Sequence, residues 1–400
     1  MTSLLAGVAN RIPATFIRGG TSKGIFLNRA HLPTDQSQWD AIFLGIMGSP
    51  DAQYGRQLNG MGGGVSSLSK ICVVGSPSEV QKAAGIDVEY TFAQVGIRDC
   101  VVDYSGNCGN LSSVVGVFAV DEGMCIPRIS HATPASVPKL TGSVRTFNTN
   151  TNKRIDNTFL VAQAESGSRY VPVLDGEQAS IAGVPGRAAP ILLDFVSPSG
   201  ARTGQLLPSG RPLDTVHISL SGNSSCSVAL PVSLVDATNP TVFTSDRGLR
   251  AALGIPDAAV TDYAEPGVVD ALERVRQAGA RLMGLDPLAQ AQPKIAVISP
   301  AQADDTEADI VINAFSMGVL HRAVPMTVGL CLGVAARVPH TLAWDALGDR
   351  RTGSNTGDLV RIRHPGGVVE VGAELGSGGE VTSARVMRTG RRLMKGVVWW

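Results

Sequence analysis

Four hundred residues, 44% of them hydrophobic and 17% charged, form a chain too long for one ordinary core, so two domains are expected. Lysine plus arginine and aspartate plus glutamate both number 34, a balance that gives neither nucleic acid nor a membrane surface a footing as partner. The 46 glycines and only 5% aromatics suit β-rich units with many tight turns and with ligands held by main chain.

The opening stretch MTSLLAGVANRIP has no basic segment and too short an apolar run for a secretory signal, and the closing VVWW is too short for an anchor. A cytoplasmic, reducing location is expected. The cysteines are Cys72, Cys100, Cys108, Cys125, Cys226 and Cys331. They form no CxxC pair and have no histidine at ligand spacing, so neither a metal nor a disulfide framework is expected.

In chain order, Ala14 to Arg18 and Ile25 to Asn28 read as strands around the Gly-rich turn Gly19 to Gly24. Arg18, Thr21, Ser22 and Lys23 could bind an anion there, or the turn could be a solvated hairpin; no phosphate-loop pattern is present. Trp39 to Met47 reads as a short amphipathic helix ending at Gly48. Gly60 to Lys70, GMGGGVSSLSK, follows as a second donor-rich turn in which Gly63, Gly64 and Ser67 can approach a ligand. Lys70 then enters the strand-like ICVVG. It is either an exposed strand-end cation or a group directed to one face of a sheet.

Val88 to Val95 and Cys100 to Tyr104 read as strands leading into Tyr104 to Val120, YSGNCGNLSSVVGVFAV. This stretch is a small-residue turn followed by an apolar run, read as a buried helix. Backbone N–H groups at such a helix start lack partners and face whatever lies in front of them. Cys108 lies in that turn, either as a small buried thiol or as a candidate acid or base, flanked by Asn107, Gly109 and Asn110.

Arg154 to Gln163 and Pro190 to Val196 are β-like, separated by a Pro/Gly/Ala-rich segment that suits a domain junction. Ser197 to Pro212 is a turn-rich loop, either linker or binding loop. Residues 216 to 235 are strand-like, and Ser245 to Leu253 and Val268 to Leu285 have helical spacing. Lys294 to Ser299 and Asp309 to Ala314 read as strands. Thr327 to Val338, apolar nearly all round, is a second buried helix. Two halves that each end in strand, turn and buried helix suggest a duplication with a cleft between the halves.

Six motifs in register make a family recognisable: RGGTSKG (Arg18 to Gly24), GGGVSSLSK (Gly62 to Lys70), SGNCGN (Ser105 to Asn110), LLPSG (Leu206 to Gly210), SMGVLHRA (Ser316 to Ala323) and HPGG (His364 to Gly367). Together they resemble the PrpF family of methylitaconate, oxalomesaconate and aconitate Δ-isomerases, within the diaminopimelate epimerase-like superfamily. The resemblance implies an α+β fold of two epimerase-like domains, each a β-barrel-like sheet wrapped around a central helix. We place these at residues 1–185 and 186–385, with the last C-terminal strand joining the first domain.

The resemblance further implies a 1,3-allylic proton shift on an unsaturated di- or tricarboxylate, with no cofactor and with a homodimer as a common assembly. Aconitate is the first expectation, oxalomesaconate or methylitaconate the next. Lys70 and Cys108 match the family's catalytic pair. Substrate contacts fall on the glycine-rich turns and on Ser316, Met317 and His321. Superfamily epimerases use one thiol from each domain. We take FSMG, with Ser316 and Met317, as the second-domain turn equivalent to the Cys108 turn; it carries no thiol, which disfavours an epimerase. A racemase, or an accessory protein to an aconitase-like enzyme, stays as the alternative. Lys70 must be neutral to act as base, so its pKa must fall from ~10.4, and we expect Arg18 or Lys23 to neutralise a substrate carboxylate beside it.

Overall fold

The computed structural model describes residues 10–132, 139–164, 167, 169–219, 227–256, 259–348 and 359–400. The first nine residues and Cys226, on which the location and disulfide expectations partly rested, lie outside these. The first half runs β1 (Arg11–Gly19), β2 (Ser22–Asn28), α1 (Trp39–Met47), β3 (Lys70–Gly75), α2 (Glu79–Ala83) and β4 (Val88–Val95). It continues through β5 (Val102–Asp103), α3 (Gly109–Ser112), α4 (Val115–Asp121), β6 (Arg128–Ala132), β7 (Lys139–Asn148), β8 (Lys153–Gln163), β9 (Tyr170–Pro172) and β10 (Pro190–Val196). The second half runs β11 (Asp214–Ser219), β12 (Ser227–Ala237), β13 (Asn239–Ser245), α5 (Asp246–Leu253), α6 (Pro266–Leu282), β14 (Lys294–Pro300), β15 (Ile310–Ser316) and β16 (Val319–Leu320). It ends with α7 (Met326–Ala335), α8 (Leu342–Leu347), β17 (Leu359–His364), β18 (Gly367–Leu375) and β19 (Val381–Trp399).

Pairings run from β1 through β2, β3, β4, β7, β8, β10 and β19 back to β1, closing a mixed sheet into a barrel. β19 makes the closure: its first part pairs with β10 and β18, its second with β1. The same order recurs in the second half. β2 is parallel to β3 as β13 is to β14; β3 turns back into β4 as β14 does into β15; and β4 is parallel to β7 as β15 is to β17.

Each repeat wraps a helix that is apolar on all sides, which water would expose at a cost and a barrel interior does not. Leu111, Val114, Val117 and Phe118 are packed among Ile17, Phe26, Tyr90 and Phe159, while Val328, Leu330, Leu332 and Val334 are packed among Phe243, Ile312, Ile362 and Val371. The two helices point their N-terminal ends at each other. A Cβ added at Gly109 would stand 3.2 Å from Thr327 Cγ2 and 3.3 Å from Met326 Cβ.

Close approach is also required at Gly24, where an added Cβ would meet the Lys70 carbonyl oxygen at 2.7 Å and Leu111 Cδ1 at 2.8 Å. We expect Gly24→Ala to destabilise the protein by about 1–3 kcal/mol, as overpacking against backbone does. Chemical denaturation of the variant checks it; a midpoint equal to that of the parent would show the barrel gives way freely.

The hairpin β1–β2 has only Gly20 and Thr21 between its strands, so Ser22 and Lys23 are strand residues on opposite faces. FSMG is corrected more substantially. It forms the two-residue β15–β16 hairpin, with Met317 at φ 56° and Gly318 at φ 71°, and not the entrance to the second central helix. That entrance is His321 to Pro325, and the residue placed as Cys108 is placed is Pro325.

Candidate active site

Both central helices enter the space between the halves without a side-chain cap, Cys108 standing before α3 and Pro325 before α7. Amides at such ends have no intrahelical partner and are open to water or to a ligand. The cleft in front of them holds about 480 Å³ including its mouth, and its wall includes Ser22, Lys70, Asn107, Cys108, Lys294 and His321. Lys70 and Cys108 therefore face a common space, reached by a lysine that opens a strand and a cysteine that opens a helix.

Lys70 is 8% exposed. Its ammonium donates to Gln94 Oε1, its cross-strand neighbour, and lies 5.1 Å from the centre of the Phe92 ring. Gln94 is fixed in turn by donating to the carbonyls of Ser66 and Ser69, at 3.2 and 2.9 Å. Among the described residues no carboxylate forms an ion pair with the amine, and burial holds its pKa below the ordinary lysine value. The Cys108 thiol lies 3.8 Å from Ser22 Oγ.

A second lysine, missed in the sequence, faces the same cleft. Lys294 opens β14 as Lys70 opens β3, and its Nζ donates to Ser316 Oγ at 3.1 Å. Desolvation, with repulsion from Lys70, brings its pKa down to about 7. The signal was available: Lys70-Ile71-Cys72-Val73-Val74 and Lys294-Ile295-Ala296-Val297-Ile298 are the same pattern.

His321 is held near pKa 4, mainly by desolvation. Its Nδ1 accepts from the Ala323 N–H at 3.1 Å, so the neutral ring carries its proton on Nε2 and is a hydrogen-bond donor. Asn107 Oδ1 accepts from Tyr90 and Ser112, while Asn107 Nδ2 and both side-chain polar atoms of Asn239 make no hydrogen bond among the described residues. Asn239, also on the wall, was not anticipated. Polar atoms of this kind are costly to bury unless a ligand completes them.

Gly109, Asn110 and Ser316 line the cleft as well. The remaining anticipated residues stand elsewhere. Arg18 Nη1 donates to the carbonyls of Gly20 and Thr389, so it shapes the hairpin. Lys23 lies over Phe16 with its ammonium 5.4 Å from the ring centre. Thr21 supports the wall from behind, accepting from Asn110 Nδ2 at 3.0 Å. Gly63, Gly64 and Ser67 are off the wall, and Gly64 N–H is spent on Gln57 Oε1 at 3.0 Å. Met317 faces a separate small cavity beside Arg276. Among the described residues, no three His, Cys, Asp or Glu side chains gather as metal ligands, and no helix is long and apolar enough to cross a membrane.

Residues 9–400 match the family described as PrpF protein. The chain belongs to the PrpF family. It is 35% identical to a 3-methylitaconate isomerase of Eubacterium barkeri, over 97% of each chain. It is 31% identical to a 2-methyl-aconitate isomerase of Shewanella oneidensis, over 97% of this chain and 96% of the other. A crystal structure of methylitaconate-delta-isomerase superposes with a TM-score of 0.70 at 34% identity, covering 97% of this chain and 95% of that one. This PrpF chain is an isomerase, and the cleft between its two central helices is where its amines and its thiol meet.

Proposed function

We propose that the protein catalyses a 1,3-allylic proton shift on an unsaturated di- or tricarboxylate, without a cofactor. An aconitate comes first as substrate, then oxalomesaconate or methylitaconate. The reading rests on one observation: two lysines that form no ion pair among the described residues share, with one cysteine, a cleft headed by helices without side-chain caps.

Neutral Lys70 takes the proton from the carbon allylic to the conjugated double bond. The electron pair left behind spreads through the alkene onto the carboxylate, giving a dienolate. The thiol of Cys108 then delivers a proton to the far alkene carbon, and the double bond has moved. Proton transfers by positioned side chains of this kind contribute about 10²- to 10⁴-fold each. The role expected of Arg18 or Lys23, neutralising a carboxylate near Lys70, passes in this scheme to Lys294, whose ammonium faces the cleft. His321, the Asn107 and Asn239 amides and the helix-head N–H groups supply donors to the charge that develops.

The repeated strand order supports two epimerase-like units, with β19 carrying the chain back to the first. Pro325 at the position matching Cys108 leaves an epimerase without its second thiol, so proton return to the same carbon is not the reading favoured. Incubation with cis-aconitate, trans-aconitate or methylitaconate in D2O, followed by NMR, tests the scheme. We expect a migrated double bond with deuterium at the newly protonated carbon. Absence of turnover on every such acid, or exchange with no bond migration, would refute it.

A further inference from the structure

A second chamber lies behind the catalytic cleft, walled by Thr21, Ser180, His364, Val368 and Arg388 and holding about 840 Å³ including its mouth. We propose that this chamber is a binding site for a small oxyanion, a carboxylate or a phosphate, distinct from the cleft in which the lysines and Cys108 meet.

Arg388 carries the argument. It is 6% exposed, yet among the described residues no carboxylate stands within ion-pair distance of it. Its Nη1 donates to the Met387 carbonyl at 2.8 Å and its Nη2 contacts Met326 Sδ at 2.6 Å, while Nε has no partner. Two of five donors are thus used, one of them on a thioether, which is a weak acceptor. A guanidinium removed from water needs a counter-charge or a full set of acceptors.

Arg276, on α6, observes that rule. It is 3% exposed and is met by both oxygens of Glu273 and by the carbonyls of Pro287 and Ala289. Arg388 has no such set. Burial depresses its pKa only to about 9, so it is still charged at neutral pH.

The other wall groups are complementary to an anion. His364 Nδ1 accepts from the Gly366 N–H at 3.1 Å, and burial with the nearby Arg388 charge keeps the ring neutral, with its pKa near 4. Its Nε2–H is therefore a donor, as are the hydroxyls of Thr21 and Ser180. The acid on the wall, Glu370, is solvent-exposed and stands opposite Arg361 in the β17–β18 ladder.

Two residues couple the chamber to the cleft. Met326 touches Arg388 and lines the cleft, and Thr21 accepts from Asn110, which does the same. An occupied chamber would therefore press on the heads of both central helices.

The test uses a Lys70→Ala/Lys294→Ala double variant, in which the cleft has lost both amines, so that turnover plays no part in the readout. Tricarballylate and inorganic phosphate are titrated separately by calorimetry, which decides between the two oxyanions. At least one is expected to bind. Arg388→Gln on that background should weaken it about 10- to 100-fold, and Arg388→Lys less. Val368→Phe, which narrows the chamber and keeps the guanidinium, should give a comparable loss and decides the matter if Arg388→Gln does not fold. The proposal fails if neither anion binds the background, or if folded Arg388→Gln and Val368→Phe bind as the background does. Failure of turnover in the unaltered protein would count against the proton-shift reading and leave this binding result standing.

Discussion

Lys70→Ala is expected to lower kcat by about 10³-fold or more while leaving the fold and the KM close to those of the parent. The amine sits at the start of β3 and makes one hydrogen bond, to Gln94, plus its contact with the Phe92 ring, so removing it disturbs little packing. Its loss removes the group that accepts the proton, an interaction needed in the transition state rather than for binding. In the unaltered protein, activity should rise as pH increases through the lowered Lys70 pKa, because only the neutral amine is a base. Cys108→Ala should be similarly slow in turnover. A distinguishing result comes from D2O: if Lys70 starts the reaction in the observed direction, Cys108→Ala will still exchange the allylic proton, and Lys70→Ala will not. A Lys70→Ala enzyme with ordinary turnover would remove Lys70 from the reaction.

Local pattern was enough to place the elements that do not depend on a distant partner. α1 and β10 coincide with the stretches read from periodicity and turn residues, and the central helices announced themselves by being apolar on every side. Lys70 and Cys108 were legible through their motifs, which sit at the entrances to a strand and a helix. The long strand β19 was not legible in local pattern: a last C-terminal strand was expected only through the family resemblance, since the RTGRRLMK segment shows no clean apolar alternation. Pairing with β1 holds it extended, and that partner is nearly four hundred residues away. Lys294 was overlooked for a related reason. Its strand was recognised, but the cleft it faces exists only once α3 and α7 meet, and no local spacing encodes that meeting. Arg388 lies in β19 and shares both difficulties. Arg18 and Lys23 show the reverse error: a donor-rich turn looked like an anion site, yet strand alternation directs Lys23 away from Ser22, and Arg18 is occupied by the hairpin's own carbonyls.

Lys294→Met should make the protein more stable and a poorer binder of polycarboxylates. The folded-state pKa of about 7 lies below the ~10.4 of an unfolded lysine, so between those values the unfolded chain holds the extra proton. Stability of the parent therefore rises with pH across that window, and below about pH 7 the full penalty for the partly buried amine is present. Methionine fills similar space with no charge to desolvate. After allowance for partial exposure, we expect a gain of about 1–3 kcal/mol at neutral pH, which shrinks as pH approaches 10. Thermal melts at pH 7 and pH 9.5 measure it, and an equal Tm change at both would show that protonation is not the cause. Binding should move the opposite way. Removing a charge-assisted contact of about 1.5–3 kcal/mol raises KM for a tricarboxylate by roughly 10- to 100-fold, with a smaller effect on kcat. A residue retained for packing would give the stability change without the KM change. Both together identify an amine that costs the fold stability because the ligand's carboxylates need it.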